Sequence, residues 1–259
     1  MPAIPLFRGK ERLASCYTPG LFLDHLRTLG WQPGTVPTTV INTFARFELF
    51  LRSDPEAYTP NHMLGTGPDR FFLVNAADQR VAINCLGTGA PATAAQLELQ
   101  AELGVERFVH VGTAGGLQPT QAVGDLVVPT SAVRGEGTSS HYVAEDVPAL
   151  PSAPLTSRYS SFLSSQALAS VQGPVWTTGA PFRTTREEVE HYARHGVLAV
   201  EEEVAALFVV GAVRGIETCA ALILDGVVDG EGAFTLDLAV AGEELRRCLA
   251  ATVAFLAAR

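Results

Sequence analysis

Residues 108–119 read Phe-Val-His-Val-Gly-Thr-Ala-Gly-Gly-Leu-Gln-Pro and join an apolar strand to a glycine-rich segment. The strand, predicted at Arg107–Val111, is predominantly apolar on both faces, as is typical of a central strand in a covered sheet. The glycines at 112, 115 and 116 predict that the strand breaks there and exposes main-chain N–H groups at its carboxyl end. Ligands bind at that edge of open α/β sheets, so we expect the functional site here.

Apolar segments of strand length alternate with segments of helical period along the chain. The predicted strands are Thr38–Asn42, Phe71–Asn75, Val81–Leu86, Arg107–Val111, Asp125–Val133, Val175–Thr178, Val197–Val200 and Thr218–Leu224. The predicted helices are Gly20–Leu29, Ala45–Arg52, Ala92–Leu103, Thr156–Ser170, Thr185–Arg194, Glu201–Val213 and Gly242–Ala257. This alternation predicts the α/β class, with one domain over residues 1–259 and a central mixed β-sheet flanked by helices.

Composition narrows the class of protein. The 259 residues are 47% hydrophobic and 17% charged, which excludes disorder for most of the chain. No apolar run is long enough to predict a membrane span, and the first residues do not resemble a signal peptide, so we expect a cytoplasmic protein. The net charge is −9 and the arginines are scattered, so a nucleic-acid-binding surface is not expected. The four cysteines are scattered without a C-x-x-C pair, which favours reduced thiols.

Two other kinds of site have weak support. His191 and His195 share a predicted helix face, but a solvated face explains the spacing and no third ligand is evident, so we expect no metal. The turn after the strand at Val81–Leu86 contains Gly87 and Gly89 and resembles a shortened dinucleotide fingerprint. The acidic residue that such a fingerprint needs at the end of the next strand is missing. A turn that only packs a helix onto a strand remains the simpler interpretation.

The segment Tyr142–Ser157 is rich in Pro, Ser and Ala. We interpret it as a long surface connection. A functional loop or an oligomer contact explains it better than a domain linker does, because strand and helix candidates continue on both sides.

Four segments together resemble one family. The stretch 112–142, GTAGGLQPTQAVGDLVVPTSAVRGEGTSSHY, is similar to the signature region of the nucleoside phosphorylase superfamily, the purine nucleoside and uridine phosphorylases. Residues 87–105, 176–185 and 200–208, the last followed by the strand that ends at Asp225, resemble further family segments in the family's order. The resemblance covers about Val81 to Gly226, and residues 1–70 form a divergent N-terminal part. It implies a nucleoside phosphorylase-like fold.

The resemblance also implies a reaction. Enzymes of this family are pentosyltransferases that cleave the N-glycosidic bond of a ribonucleoside with phosphate, giving ribose 1-phosphate and the free base. The implied partners are a nucleoside and inorganic phosphate as co-substrate, with no metal or organic cofactor, in a homo-oligomer (dimer or hexamer). A hydrolytic nucleosidase and a non-catalytic nucleoside-binding homologue remain alternatives on the same fold.

The resemblance assigns two carboxylates to catalysis. Glu203 would grip the ribose hydroxyls with charge-assisted hydrogen bonds, and Glu202 stands beside it in a position where the family usually has Met. Asp225 would protonate or hydrogen-bond the leaving base, and the family's Gln and Arg pair for uracil is not clearly present after Phe182; together these two features tilt the expected substrate towards purines. The alternatives are that the glutamates only favour a helix N-terminus and that Asp225 caps a turn.

The base and phosphate subsites follow by the same resemblance. Phe182 would stack on the base, beside Ala114 and Gly115, and its alternative is packing in the core. Phosphate would be held by three neighbouring residues, Gly112, Thr113 and His110. The family has an arginine at the position of His110, and its N-terminal Gly-Asp-Pro-Gly-Arg segment is missing here. The residues that could substitute are Arg46, Arg134 and Arg183. A buried His110 bonded to the backbone is the plain alternative.

Overall fold

The computed structural model describes residues 9–28, 37–44, 59–60, 71–76, 79–228 and 233–257, and the predicted helix Ala45–Arg52 with its Arg46 lies outside them. Ten strands are present in this part: β1 Thr39–Phe44, β2 Thr59–Pro60, β3 Phe71–Ala76, β4 Gln79–Leu86, β5 Arg107–Gly116, β6 Leu126–Gly135, β7 Ser170–Thr178, β8 Ala199–Glu201, β9 Glu217–Val228 and β10 Phe234–Leu236. Six α-helices accompany them: α1 Pro19–Thr28, α2 Ala90–Glu102, α3 Ala153–Ser165, α4 Arg186–Arg194, α5 Val204–Arg214 and α6 Leu238–Ala257.

The strands form one mixed sheet in the order β10-β9-β6-β7-β8-β5-β1-β4-β3-β2, with a further pairing between β9 and β5. That pairing closes β5, β9, β6, β7 and β8 into a ring, from which β1, β4, β3 and β2 extend as an open sheet. Strands β4, β1, β5 and β9 pair parallel to one another, whereas β6 and β10 pair antiparallel to β9, β8 pairs antiparallel to β5, and β3 pairs antiparallel to β4.

The hydrophobic core has a layer on each face of the sheet. Helices α3 and α6 pack on one face, over Val109 and Val111 of β5. Helices α2 and α5 pack on the other face, over Phe108 and Ala114 of the same strand. Alternate residues of a strand point to opposite faces, so the double burial explains the continuous apolar run of β5. The predicted α/β class with helices on both faces is therefore confirmed. No helix in the described part is long and apolar enough to cross a bilayer.

Strand β5 is longer than predicted. The residues after Val111 do not form a turn, because Gly115 and Gly116 pair with Val200 and Ala199 of β8. The whole segment also pairs with β9. Glycine tolerates extended backbone, so a glycine-rich segment breaks a strand only where no partner strand is available. Here two partners are available, and both come from distant parts of the chain.

Strand β9 also continues beyond its predicted end at Leu224. Ala114 pairs with Leu224 and Gly115 with Gly226, so Asp225 is the extra residue of a β-bulge. Asp225 therefore lies inside a strand rather than after it. Bulges re-aim side chains and are frequent beside active sites.

The segment Tyr142–Ser157 is partly helical. Residues 153–157 begin helix α3, which starts three residues before its predicted start and ends at Ser165, five residues before its predicted end. The remainder is tied to its own chain, because Arg134 donates hydrogen bonds to the carbonyls of Val143, Ala144 and Val147. It is therefore a loop that these hydrogen bonds hold against β6.

Candidate active site

Strand β5 changes partners at the level of the candidate site. On one edge it pairs with β1 at residues 107–110 and with β8 at residues 115–116. In the described part of the chain, residues 111–114 lie between these two pairings and have no strand partner on that edge. The sheet is thus open at Gly112 and Thr113. This is the kind of crevice in which α/β proteins bind ligands.

Glu203 stands at the meeting point of two helices. It is the N-cap residue of α5 and is 2% exposed. Its Oε1 accepts a 2.5 Å hydrogen bond from the main-chain N–H of Gly89, the N-cap residue of α2. Gly89 has a φ of 96°, which favours glycine and turns its N–H towards the carboxylate. The positive ends of two helix dipoles therefore face one carboxylate.

Glu201 is a buried acidic residue beside Glu203 that sequence reasoning did not single out. Its carboxylate accepts hydrogen bonds from the main-chain N–H groups of Glu203, at 2.6 Å, and Val204, at 2.7 Å. It also accepts a hydrogen bond from the Thr177 hydroxyl, which in turn accepts one from the N–H of Ala205. Helix α5 therefore starts at Val204 and not at Glu201, because Glu201 ends β8 and caps the helix with its side chain. The sequence signal for such a cap is a glutamate at the end of a strand, two residues before the candidate ribose-binding residue.

Burial shifts the acidity of both carboxyl groups. Desolvation raises the pKa of Glu201 to about 7 and that of Glu203 to about 8; the charge of Glu202 adds to both shifts, and the charge of Glu201 adds to the shift of Glu203. Glu202 is half-buried, and its pKa is also raised by burial. Glu203 therefore keeps its proton to higher pH than an exposed glutamate does. A ligand that donates hydrogen bonds to Glu203 favours its charged form.

His110 belongs to a row of buried polar side chains. Asn84, Asn42 and His110 are in register on β4, β1 and β5, so they share the sheet face covered by α2 and α5. Asn42 Nδ2 lies 3.2 Å from His110 Nδ1. Burial lowers the pKa of His110 to about 4, so the ring is neutral at physiological pH. Among the described residues, Asn42 Oδ1 and Asn84 Nδ2 have no hydrogen-bond partner, which suits a polar ligand or water beside the row.

Asp225 and Thr113 contact each other across the bulge. The Thr113 side chain hydrogen-bonds the Asp225 carboxylate, and both residues are half-buried. Burial raises the pKa of Asp225. The structure therefore joins a residue predicted to bind phosphate to one predicted to act on the base. Gly112 and Ala114 flank Thr113 and are buried in β5, and Gly115 is half-buried.

Phe182 is fully exposed on a short 3₁₀ helix, Pro181–Arg183, so the core-packing alternative is wrong. The loop that carries it borders a cavity of about 280 Å³. The other walls of this cavity include Glu136, Trp176 and Tyr192, and the two aromatic rings lie 4.4 Å apart. The carboxylates of the candidate site do not line this cavity, and neither does Phe182.

Arg134 and Arg183 were considered above as phosphate ligands, and they have different contacts. Arg134 uses its guanidinium to hold its own loop, with hydrogen bonds to three carbonyls and to the hydroxyls of Ser139 and Ser140. Arg183 is exposed and lines the cavity beside Trp176. Arg134 therefore has a structural role that accounts for its donors.

The two histidines considered as metal ligands lie on the surface. His191 is exposed on α4 and His195 is exposed directly after the last residue of α4, and His195 Nδ1 lies 2.7 Å from the main-chain oxygen of His191. The described ranges contain no group of three or more His, Cys, Asp or Glu placed to hold a metal ion.

The chain is similar to known proteins in sequence. A family model described as the phosphorylase superfamily matches residues 40–257. Uridine phosphorylase of Treponema pallidum is 32% identical over 68% of the chain and 73% of its own length. Guanosine phosphorylase of Halorubrum lacusprofundi is 31% identical over 60% of the chain and 66% of its own length.

The fold has solved counterparts as well. A crystal structure of uridine phosphorylase from Vibrio fischeri, complexed with 6-hydroxy-1-naphthoic acid, superposes with a TM-score of 0.73 at 24% identity. The superposition covers 90% of this chain and 98% of that one. The chain belongs to the phosphorylase superfamily.

Proposed function

We propose that the protein is a nucleoside phosphorylase, a pentosyltransferase that transfers the ribosyl group of a nucleoside to inorganic phosphate. The observation that carries the proposal is the buried Glu203 carboxylate, held by Gly89 at the point where α2 and α5 begin. A carboxylate in this position can accept hydrogen bonds from vicinal ribose hydroxyls. Those bonds strengthen as the sugar acquires positive charge, so they stabilise the transition state more than the ground state.

The other groups then take complementary roles. A phosphate oxygen attacks the anomeric carbon and forms the new C–O bond, while the C–N bond breaks and its electron pair leaves with the base. Asp225, whose pKa burial raises, donates a proton or a hydrogen bond to the departing base. Thr113 and the N–H groups at the open edge of β5, with neutral His110 as a hydrogen-bond donor, hold the phosphate. Glu202 borders the ribose. The scheme uses no metal or organic cofactor, so dialysis against a chelator should leave activity unchanged.

Hydrolysis is the second candidate, and one observation favours it. His110 stands where relatives have a fixed positive charge, and its pKa of about 4 leaves it neutral. A neutral polar row suits water as nucleophile better than it suits a phosphate dianion. The cleavage of the C–N bond and the roles of Glu203 and Asp225 are the same in both reactions.

One experiment separates these reactions. Purine and pyrimidine ribonucleosides are incubated with the protein, with and without phosphate, and the sugar products are identified. A phosphorylase needs phosphate and releases ribose 1-phosphate. A nucleosidase releases free ribose in either condition. Absence of base release from every nucleoside would contradict both reactions and leave a binding protein.

We further propose a homo-oligomer in which a second copy completes the site. Fully exposed Phe182, together with Leu238 and Val240 in the first turn of α6, leaves apolar surface on one copy. Light scattering after size-exclusion chromatography measures the mass directly, and a monomer at micromolar concentration would contradict the proposal.

A further inference from the structure

We propose that Phe234 is the aromatic wall of the nucleobase subsite, in place of Phe182. This inference rests on the proposed function, because it names the residue that contacts the base at the same site. It assigns base recognition to the hairpin formed by β9 and β10. The substrate class that fits is a nucleoside with a flat aromatic base.

Phe234 lies directly on Gly115. A Cβ built at Gly115 would approach Cε1 of Phe234 to 2.6 Å, a distance that side chains do not tolerate, so the ring occupies the space above the glycine. The ring is 36% exposed, which leaves part of its surface uncovered. A ring that is anchored on one side and open on the other is suited to stacking.

The hairpin that carries Phe234 is fixed to the bulge. Strand β10 pairs antiparallel with β9, and Leu236 lies opposite Gly226. The N–H of Asp237 donates a 3.1 Å hydrogen bond to the main-chain oxygen of Asp225. Leu236 packs on Gly226 as Phe234 packs on Gly115. The aromatic ring and the Asp225 carboxylate therefore belong to one structural unit.

Thr113 and Gly115 are two residues apart on β5, so their side-chain directions share one face of the sheet. Thr113 bonds the Asp225 carboxylate, and Gly115 carries the Phe234 ring. A base that places a nitrogen at Asp225 thus lies beside Phe234. Phe182, by contrast, is fully exposed and does not line the cavity next to its loop.

The contribution of stacking to the affinity for a base can be measured by substitution. Replacing a stacking aromatic by alanine weakens base binding by about 5-fold to more than 100-fold. Hypoxanthine and uracil are the probes, because binding of a free base needs no catalytic step. Their dissociation constants are measured by calorimetry on the full chain, as wild type and as Phe234→Ala, Phe234→Leu, Leu236→Ala and Phe182→Ala. Leu236→Ala is the matched control, since it loosens the same hairpin without removing the ring.

We expect Phe234→Ala to weaken binding of at least one base by about 5-fold or more, with Phe234→Leu between it and wild type and Leu236→Ala within about 2-fold of wild type. Phe182→Ala tests the competing assignment and should have the smaller effect. Binding within 2-fold of wild type in Phe234→Ala, equal losses in Leu236→Ala, a larger loss in Phe182→Ala, or a wild type that binds neither base would each overturn the inference. If Phe234→Ala does not fold, the same comparison is made with Phe234→Leu.

The proposed function is tested separately. If wild type cleaves nucleosides but base binding does not depend on Phe234, the inference about Phe234 fails and the enzymatic function stands. If wild type binds bases through Phe234 but cleaves no nucleoside, the enzymatic function fails and the inference about Phe234 stands.

Discussion

The main-chain N–H of Gly89 donates a 2.5 Å hydrogen bond to Oε1 of Glu203, and this bond joins the N-cap residues of helices α2 and α5. The two residues are 114 positions apart in the chain. Their contact fixes a buried carboxyl group at the point where the two helices begin. The charge of that carboxyl depends on burial and on two neighbouring glutamates, so the site can be tested through its acidity as well as its activity.

Replacing the charge of Glu203 should reduce activity on ribonucleosides. Glu203→Gln keeps an oxygen for the N–H of Gly89 but removes the charge that assists the ribose contacts, so we expect kcat/KM to fall by about 10²-fold or more. The fall should be smaller on 2-deoxyribonucleosides, which lack one of the hydroxyls. Steady-state kinetics on matched pairs of nucleosides measures it, and equal losses on both sugars would contradict the ribose assignment.

The activity should rise with pH as Glu203 loses its proton. Since the pKa of Glu203 is raised to about 8, kcat/KM of wild type should increase towards that pH. Glu202→Gln removes a negative charge that raises this pKa, so its midpoint should move to lower pH. A pH–rate profile on the two proteins tests this, and an unchanged midpoint in Glu202→Gln would contradict the coupling.

Stability should depend on pH in the opposite sense to activity. The folded protein binds a proton on Glu203 that the unfolded chain releases near its ordinary pKa of 4.5, so stability is lost as pH rises from about 4.5 to about 8. Glu203→Gln removes this loss. Its melting temperature relative to wild type should therefore increase between pH 5 and pH 8, by about 2–4 °C for each kcal/mol. A difference that stays constant across this range would show that Glu203 does not hold the proton.

Asp225 should matter most for poor leaving groups. Asp225→Asn removes the proton donor, so purine nucleosides should lose more kcat/KM than substrates with an activated leaving group, which needs no protonation. Thr113→Val removes the hydroxyl that bonds Asp225 and provides a comparison at the same contact. Equal losses on all substrates in Asp225→Asn would indicate that Asp225 only supports the bulge.

His110 should act as a neutral group. With a pKa of about 4, it is uncharged above pH 5, so the KM for phosphate should stay flat from pH 5.5 to 8 after allowance for the ionisation of phosphate itself. His110→Gln, which keeps a neutral donor and acceptor, should change this KM by only a few-fold. A KM that rises about tenfold per pH unit would mean that phosphate binds the imidazolium.

Local sequence patterns predicted much of the fold. The apolar run at Arg107–Val111 and the helical periods on either side were sufficient for the α/β class, because burial on both faces of a strand leaves no polar alternation. The sequence shows Gly89 as a turn glycine and Glu203 as an acid at the start of a helix. Sequence reasoning could not show that these two residues are in contact, because they are 114 positions apart in the chain.

Four features were decided by the tertiary structure. Partner strands on both edges keep Gly115 and Gly116 in β5, and the register with β9 makes Asp225 a bulge. Burial makes His110 neutral. The hairpin after β9 brings Phe234 onto Gly115. The physical reason is common to all four: a residue's pairing, solvation and close neighbours depend on chain segments far away in sequence, whereas periodicity and turn chemistry depend on the few residues beside it.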